Sequence, residues 1–195
     1  EEQRHQYLGL MHSQAHRMQN IVEDLLVLSK LESTTTPAQD DRVLMTAMME
    51  RLVNDASSMS RDQHRITVCM TSESVIRGAE DELASAFSNL VSNAVRYTPA
   101  NGTITLGWSV NPDGCGVFSV TDTGPGIESQ HLPRLTERFY RVDRSRSRDT
   151  GGTGLGLAIV KHVATRHQAQ LVIDSEVGKG SCFSLVFPTK RIQSA

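Results

Sequence analysis

The chain has 195 residues and shows no excess of positive charge, no cysteine framework and no apolar run long enough to cross a bilayer. Each absence excludes something. A formal net charge of -2 gives no bulk field that would draw in nucleic acid. Cys69, Cys115 and Cys182 form an odd set without C-x-x-C spacing. They read as reduced thiols of a cytosolic compartment, placed as small core or near-core residues. No signal peptide is expected in these residues, and no internal repeat or low-complexity tract is read in them. The chain starts inside a helical pattern, so it is expected to be a fragment of something larger, with an upstream membrane anchor left open. What is present, 38% hydrophobic and 22% charged residues, suits a globular protein with a real core.

Residues 2–32 lack proline and contain one glycine, Gly9. Leu8, Met11, Ala15, Met18, Val22 and Leu25 alternate steps of three and four, the seam of a helical bundle. Ile21, Leu26 and Leu28 widen that stripe, and one helix cannot bury it alone, so partner helices are expected. His5, His12 and His16 lie on this helix. The last two are one turn apart, but no third ligand is indicated, so they read as exposed polar positions beside the seam. The polar run 33–41 contains Pro37 and reads as a linker. The domains expected are therefore a bundle helix over 1–33, a linker over 34–41 and a mixed domain over 42–195.

In that domain the patterning predicts short strands at 42–44, 65–71 and 75–78 and helices at 45–59, 80–97 and 154–167. A hairpin is expected at 103–110 and 116–122 across Asn111-Pro112-Asp113-Gly114, and a second at 170–176 and 181–187. A short helical stretch is expected at 130–137. Strands that come as hairpins favour an α+β fold, with helices on one face of a mostly antiparallel sheet, over a doubly wound parallel one.

The chemistry concentrates between Asp122 and Val160. DTGPGI and GGTGLGLAIV flank the segment ERFYRVDRSRSRDT, which carries Arg138, Arg141, Arg144, Arg146 and Arg148 and reads as the most mobile part. The second glycine cluster opens a helix, whose N-terminus offers unpaired N–H groups to phosphate. Gly124 and Gly126 would let backbone approach a flat ligand. Asp122, at a strand end, can accept a hydrogen bond from an exocyclic amino group and so select adenine over guanine. Asn89 and Asn93, four apart on one helix face, offer neutral oxygen ligands suited to Mg²⁺. A dinucleotide fingerprint fails for want of a βαβ unit, and the pattern G-x-x-x-x-G-K-[ST] is absent.

In that order the motifs resemble the boxes of sensor histidine kinases: NLVSNAVRYTP the N box, DTGPGI the G1 box, ERFYRVD the F box and GGTGLGLAIVKHV the G2 box. Residues from about 40 to 188 resemble their catalytic, ATP-binding domain, a Bergerat-type two-layer α/β sandwich. The first helix, ending LLVLSKLES, resembles the second helix of their dimerisation and phosphotransfer hairpin. The run PRLTERFYRVDRSRSRDTGGTGLGLAIVKHV is especially similar to the phosphate-regulon branch.

The resemblance implies roles at matching positions. Asn93 would coordinate Mg²⁺, supported by Asn89 and Glu82. Arg96 would approach the phosphates, and Tyr97 would lie against the nucleotide. Asp122, Gly124, Gly126 and Ile127 would form the adenine pocket, with Ser181 near the base. Phe139, Tyr140 and Arg141 would belong to the ATP lid, and Gly152, Thr153, Gly154, Leu155 and Gly156 would hold phosphates. The implied reaction passes the γ-phosphoryl of Mg-ATP to a histidine and then to a response regulator, in phosphate-starvation signalling. The implied protein is a homodimer through the helical hairpin and the cytoplasmic portion of an inner-membrane sensor.

One part of the pattern is missing. No histidine of the first helix is followed by Glu or Asp, so the H box with its phosphoacceptor is absent, and the expectation is ATP binding without normal autophosphorylation in isolation. Two alternatives stand beside this reading. One is an ATPase of the gyrase, mismatch-repair or chaperone type; the other is a nucleotide-sensing or helix-pairing module.

Overall fold

The computed structural model describes residues 2–33, 40–142 and 152–194. Helix α1 (Glu2–Ser33) comes first, followed by β1 (Asp41–Leu44), α2 (Met45–Ser60), β2 (Arg65–Met70) and β3 (Val75–Gly78). Then come α3 (Glu80–Tyr97), β4 (Thr103–Val110) and β5 (Gly116–Asp122). A 3-10 turn at Leu132–Arg134 precedes α4 (Gly156–Arg166), β6 (Gln170–Glu176), β7 (Gly180–Phe187), a second 3-10 turn at Thr189–Arg191 and β8 (Ile192–Gln193). The expected linker falls largely on residues 34–39, and the arginine run at 144–148 falls in 143–151; both lie outside the described residues.

Five strands form the main sheet in the order β2-β4-β5-β7-β6, with β2 and β4 parallel and every other pair antiparallel. Its inner face follows from period-two alternation. Ile104, Leu106 and Trp108 on β4, Phe118 and Val120 on β5, and Leu185 and Phe187 on β7 are buried. Opposite them α3 lays down Leu83, Ala86, Phe87, Leu90, Val91 and Ala94, one continuous stripe at helical spacing. Phe87 is the centre of this layer: its ring stacks on Phe118 at 4.0 Å and meets Phe187 edge-on at 6.2 Å. Helices α2 and α4 flank α3, and α1 packs against α4. This is the expected α+β sandwich, preceded by its long helix.

Several expectations are corrected. Strands β1, β3 and β8 form a separate three-stranded sheet, and β8 was not foreseen because two residues carry no readable alternation. Helix α4 begins at Gly156 rather than Gly154, because Gly154 has φ +75°, which no helix residue adopts. The stretch 130–137 makes only a single 3-10 turn. Cys69 is exposed and Cys115 and Cys182 are half-buried, not core residues. Cys69 and Cys182 alternate with inward-facing neighbours and so point out of the sheet. On α1 the anticipated seam stands open to solvent, with Leu8, Met11, Met18, Val22 and Leu25 all exposed, while Leu28 and Leu31 are buried. No described helix is long and apolar enough to cross a membrane.

Candidate functional site

The C-terminal half of α3 is where the two glycine turns meet. A Cβ placed on Gly124 would lie 3.1 Å from the Tyr97 carbonyl, and one placed on Gly152 would lie 3.1 Å from a guanidinium nitrogen of Arg96. Arg96 and Tyr97 are consecutive, so one helix turn bridges the turn after β5 and the turn before α4. Asn93 sits one turn earlier on the same helix.

The turn after β5 is built from backbone. Asp122 is 7% exposed, and its Oδ1 accepts the Gly124 N–H at 2.7 Å. The Ser181 backbone N–H also donates to this carboxyl; burial pushes its pKa up, and these two hydrogen bonds pull it partly back. Gly126 has φ +71°, and a Cβ there would strike the Glu176 carbonyl. Gly180 has φ +119° and lies against the Asp122 carbonyl with no room for a side chain. Ile127 donates its N–H to Ser175 Oγ at 2.8 Å, and Ser175 and Ser181 hydroxyls are 3.0 Å apart. This Ser175–Ser181 pair ties the turn to the β6–β7 hairpin.

The turn before α4 is held by side chains. Arg141 donates to the Gly152 carbonyl, and a Cβ on Gly152 would lie 3.4 Å from Arg141. Two guanidiniums thus flank one glycine. Phe139 donates its N–H to the Gly154 carbonyl at 2.8 Å. Phe139 itself has φ +61° and is 58% exposed, an unfavourable backbone and surface for a bulky residue. Thr153 Oγ1 accepts the Leu155 N–H at 3.2 Å, opening α4. Gly156 abuts Asn89 with no space for a Cβ, and Asn89 Nδ2 donates to the Ser85 carbonyl at 2.9 Å.

Two expected site residues are engaged elsewhere. Glu82 forms a two-pronged ion pair with Arg166, at 2.9 Å and 3.0 Å, and lies 3.8 Å from His167. It also precedes Asn93 by eleven residues, about 16 Å along the helix axis, too far to share a metal ion. Tyr140 turns its hydroxyl to His131 Nδ1 at 2.6 Å, with Arg134 over its ring at 4.3 Å. Sequence reasoning missed Asp24 and Glu32 of α1, which reach this side of the site: Asp24 Oδ2 accepts from Thr153 Oγ1 at 2.7 Å, and Glu32 pairs with Arg138 and with His162 at 3.2 Å. Asp24 is an acid beside an otherwise apolar run, the one signal that could have marked it. His167 was also missed. It is fully buried and accepts the Ala79 N–H at 3.1 Å at the start of α3.

The donor set fits an anionic ligand with a hard cation. Asn93 makes no side-chain hydrogen bond among the described residues and keeps its amide available. No group of three or more His, Cys, Asp or Glu that could hold a metal occurs among the described residues. A cation here would therefore take neutral amide oxygen and oxygens of the ligand itself, the preference of Mg²⁺.

A sheet covered on one face by helices, with glycine turns and paired guanidiniums at one helix end, defines a nucleotide-binding domain of the ATPase class. The family described as "Histidine kinase-, DNA gyrase B-, and HSP90-like ATPase" matches residues 78–191, and the chain belongs to it, among the sensor histidine kinases. The chain is 50% identical over 189 residues to the phosphate regulon sensor protein PhoR of Pseudomonas aeruginosa, covering 96% of this chain and 42% of that protein. The corresponding figures for PhoR of Haemophilus influenzae are 40% identity over 188 residues, 96% and 44%. The chain thus spans less than half the length of these relatives. Among solved structures, full-length ShkA in complex with AMPPNP superposes with a TM-score of 0.81 at 27% identity, over all of this chain and 40% of that one. The mycobacterial sensor histidine kinase MprB gives 0.67 at 27% identity, over 76% of this chain and 97% of that one.

Proposed function

We propose that this chain is the ATP-binding catalytic part of a two-component sensor histidine kinase that moves the γ-phosphoryl group of ATP to a histidine, for relay to a response regulator in phosphate-starvation signalling. The observation that carries the reading is the meeting of Arg96 and Arg141 at Gly152, one helix turn from Asn93 and one residue from the Tyr97–Gly124 contact. In this reading Asp122 accepts the amino group of adenine, and guanine would instead point a carbonyl oxygen at a carboxylate. Gly124, Gly126 and Ile127 line the base, with Ser181 behind Asp122 and Tyr97 alongside. Arg96, Arg141, Thr153 and the backbone of Gly152, Gly154, Leu155 and Gly156 hold phosphate oxygens, with Phe139 at the rim.

Asn93 would hold Mg²⁺, with Asn89 beside it. The ion supplies neutralisation of phosphate charge, and the protein's own contribution to phosphoryl transfer is positioning and electrostatics. The exposed apolar seam of α1 supports pairing with a second hairpin helix in a homodimer. The names of the relatives support the phosphate-regulon assignment; in this reading the whole protein is membrane-anchored and its kinase part cytoplasmic.

Thermal unfolding with Mg-ATP, with Mg-GTP and without nucleotide tests the reading. ATP at a hundredfold its dissociation constant should add about 2.7 kcal/mol of stability, and GTP far less. Equal shifts with both nucleotides, or none with either, would overturn the assignment of Asp122 to adenine or of the site to nucleotide, respectively.

A further inference from the structure

Three neighbouring strands change character in the same row. On the helix-facing side of the sheet the run is apolar: Phe118 and Val120 on β5, Phe183 and Leu185 on β7, Leu171 and Ile173 on β6. The next row is Asp122, Ser181 and Ser175, paired directly across β5, β7 and β6. Residues opposite one another share a face, so three polar side chains stand side by side at the end of the core. Asp122 and Ser181 are each 7% exposed. Burying polar groups is costly unless they are hydrogen-bonded, and Ser175 is where their bonds converge.

A serine hydroxyl has one proton and two lone pairs, and in Ser175 all three are engaged. The Ser175 hydroxyl accepts the Ile127 N–H at 2.8 Å and donates to the Gly180 carbonyl at 3.1 Å, which leaves its second lone pair for the Ser181 hydroxyl at 3.0 Å. The Gly180 C=O and the Ser181 N–H belong to one planar peptide unit. Ser175 holds the carbonyl end of that plane, and the Asp122 carboxylate accepts from its N–H end. Turning the plane would break both bonds. One hydroxyl therefore fixes both ends of the turn after β5, Asp122 through the peptide and Ile127 directly. Resting on the ATP reading above, we propose that Ser175 is a positioning residue for the base: without touching it, Ser175 sets where the Asp122 carboxylate and the Ile127 main chain stand, and so sets the preference for adenine over guanine. An amino group gains from a carboxylate held in one place. Guanine presents a carbonyl oxygen there and gains nothing from it.

The test uses the whole chain and three variants: Ser175→Ala and Ser175→Cys, which remove the hydroxyl, and Ser175→Thr, which keeps it. Displacement of a fluorescent ATP analogue by Mg-ATP and by Mg-GTP gives the preference, and urea unfolding gives the stability. Ser175→Ala and Ser175→Cys should bind Mg-ATP about tenfold more weakly than the parent and Mg-GTP no more weakly, so the preference shrinks by that factor. Ser175→Thr should keep the parent's preference. A lowered urea midpoint with the preference intact would show that Ser175 only stabilises the fold and would overturn the proposal. So would equal weakening of both nucleotides, or a Ser175→Thr protein that behaves like Ser175→Ala. If Ser175→Ala does not fold, Ser175→Cys, with a side chain of nearly the parent's shape, decides. A parent that binds both nucleotides alike would overturn the assignment of Asp122 and this one with it. A parent that binds neither would overturn the nucleotide reading itself.

Discussion

The two glycine turns of the site look alike in sequence and are held by different forces. The turn after β5 is locked to the β6–β7 hairpin by backbone: Gly126 and Gly180 sit against carbonyls with no room for a Cβ, and Asp122 accepts the main-chain N–H groups of Gly124 and Ser181. The turn before α4 is held by Arg141, by the Phe139 amide and by an acid from a different helix, Asp24. Backbone contacts inside a sheet have few alternative arrangements. Charged side chains can exchange one partner for another of like chemistry. The difference teaches that one end of the site is preformed and the other is shared.

That contrast can be broken at the preformed end first. Gly180→Ala places a side chain at φ +119° against the Asp122 carbonyl. Strain and overpacking together should cost about 3–5 kcal/mol, read as a lowered denaturation midpoint in urea; a midpoint within error of the parent would mean the turn is not rigid. Next in size, Glu82→Ala removes the two-pronged carboxylate partner of Arg166, whose side chain is 13% exposed. Stability should fall by about 2–3 kcal/mol while Mg-ATP affinity measured by calorimetry stays put. A loss of magnesium dependence instead would return Glu82 to the metal. Asp122→Asn should weaken Mg-ATP binding by about tenfold to a hundredfold, the worth of a charged hydrogen bond replaced by facing amide donors, with little change in fold; unchanged affinity would remove Asp122 from the base.

The smallest expected effect concerns pH. Burial lowers the pKa of His167, which stays neutral while accepting the Ala79 N–H. A depressed histidine contributes stability that is present above about pH 6.5 and lost as pH falls through its lower folded value. Asp24 and Asp122 shift the other way, upward by burial, so their protonation favours the folded state as pH falls towards 4. The parent's melting temperature should therefore drop between pH 7 and 5 more steeply than that of His167→Gln, and identical slopes would exclude His167 as the cause.

Most of the fold was legible because it is local. The stripe of α3, the alternation of β4 and β5 and the turn residues between them announce themselves within a few residues. The small sheet β1-β3-β8 was not legible, since pairing of Val75 with Gln193 joins segments that carry no sign of each other. Within the site, Asn93, Arg96, Asp122 and the glycines sit in recognisable runs. Glu82 shares their helix face, and only the position of Arg166 on a separate helix reveals that it serves another purpose. Glu32 looks like an ordinary surface acid of a bundle helix, and Asp24, though set beside an apolar run, shows no partner until Thr153 is brought to it.

By itself the sequence determined which of the longer segments become helix or strand, the buried acid at a strand end and the glycines without which the turns could not form. These follow from side-chain periodicity and from backbone angles open only to glycine. The tertiary structure alone decided which charged groups meet: Glu82 with Arg166, Tyr140 with His131, Asp24 with Thr153. Long side chains from segments far apart in the chain find partners only once the helices are packed, and the energy of a charge depends on what is then within a few ångströms of it.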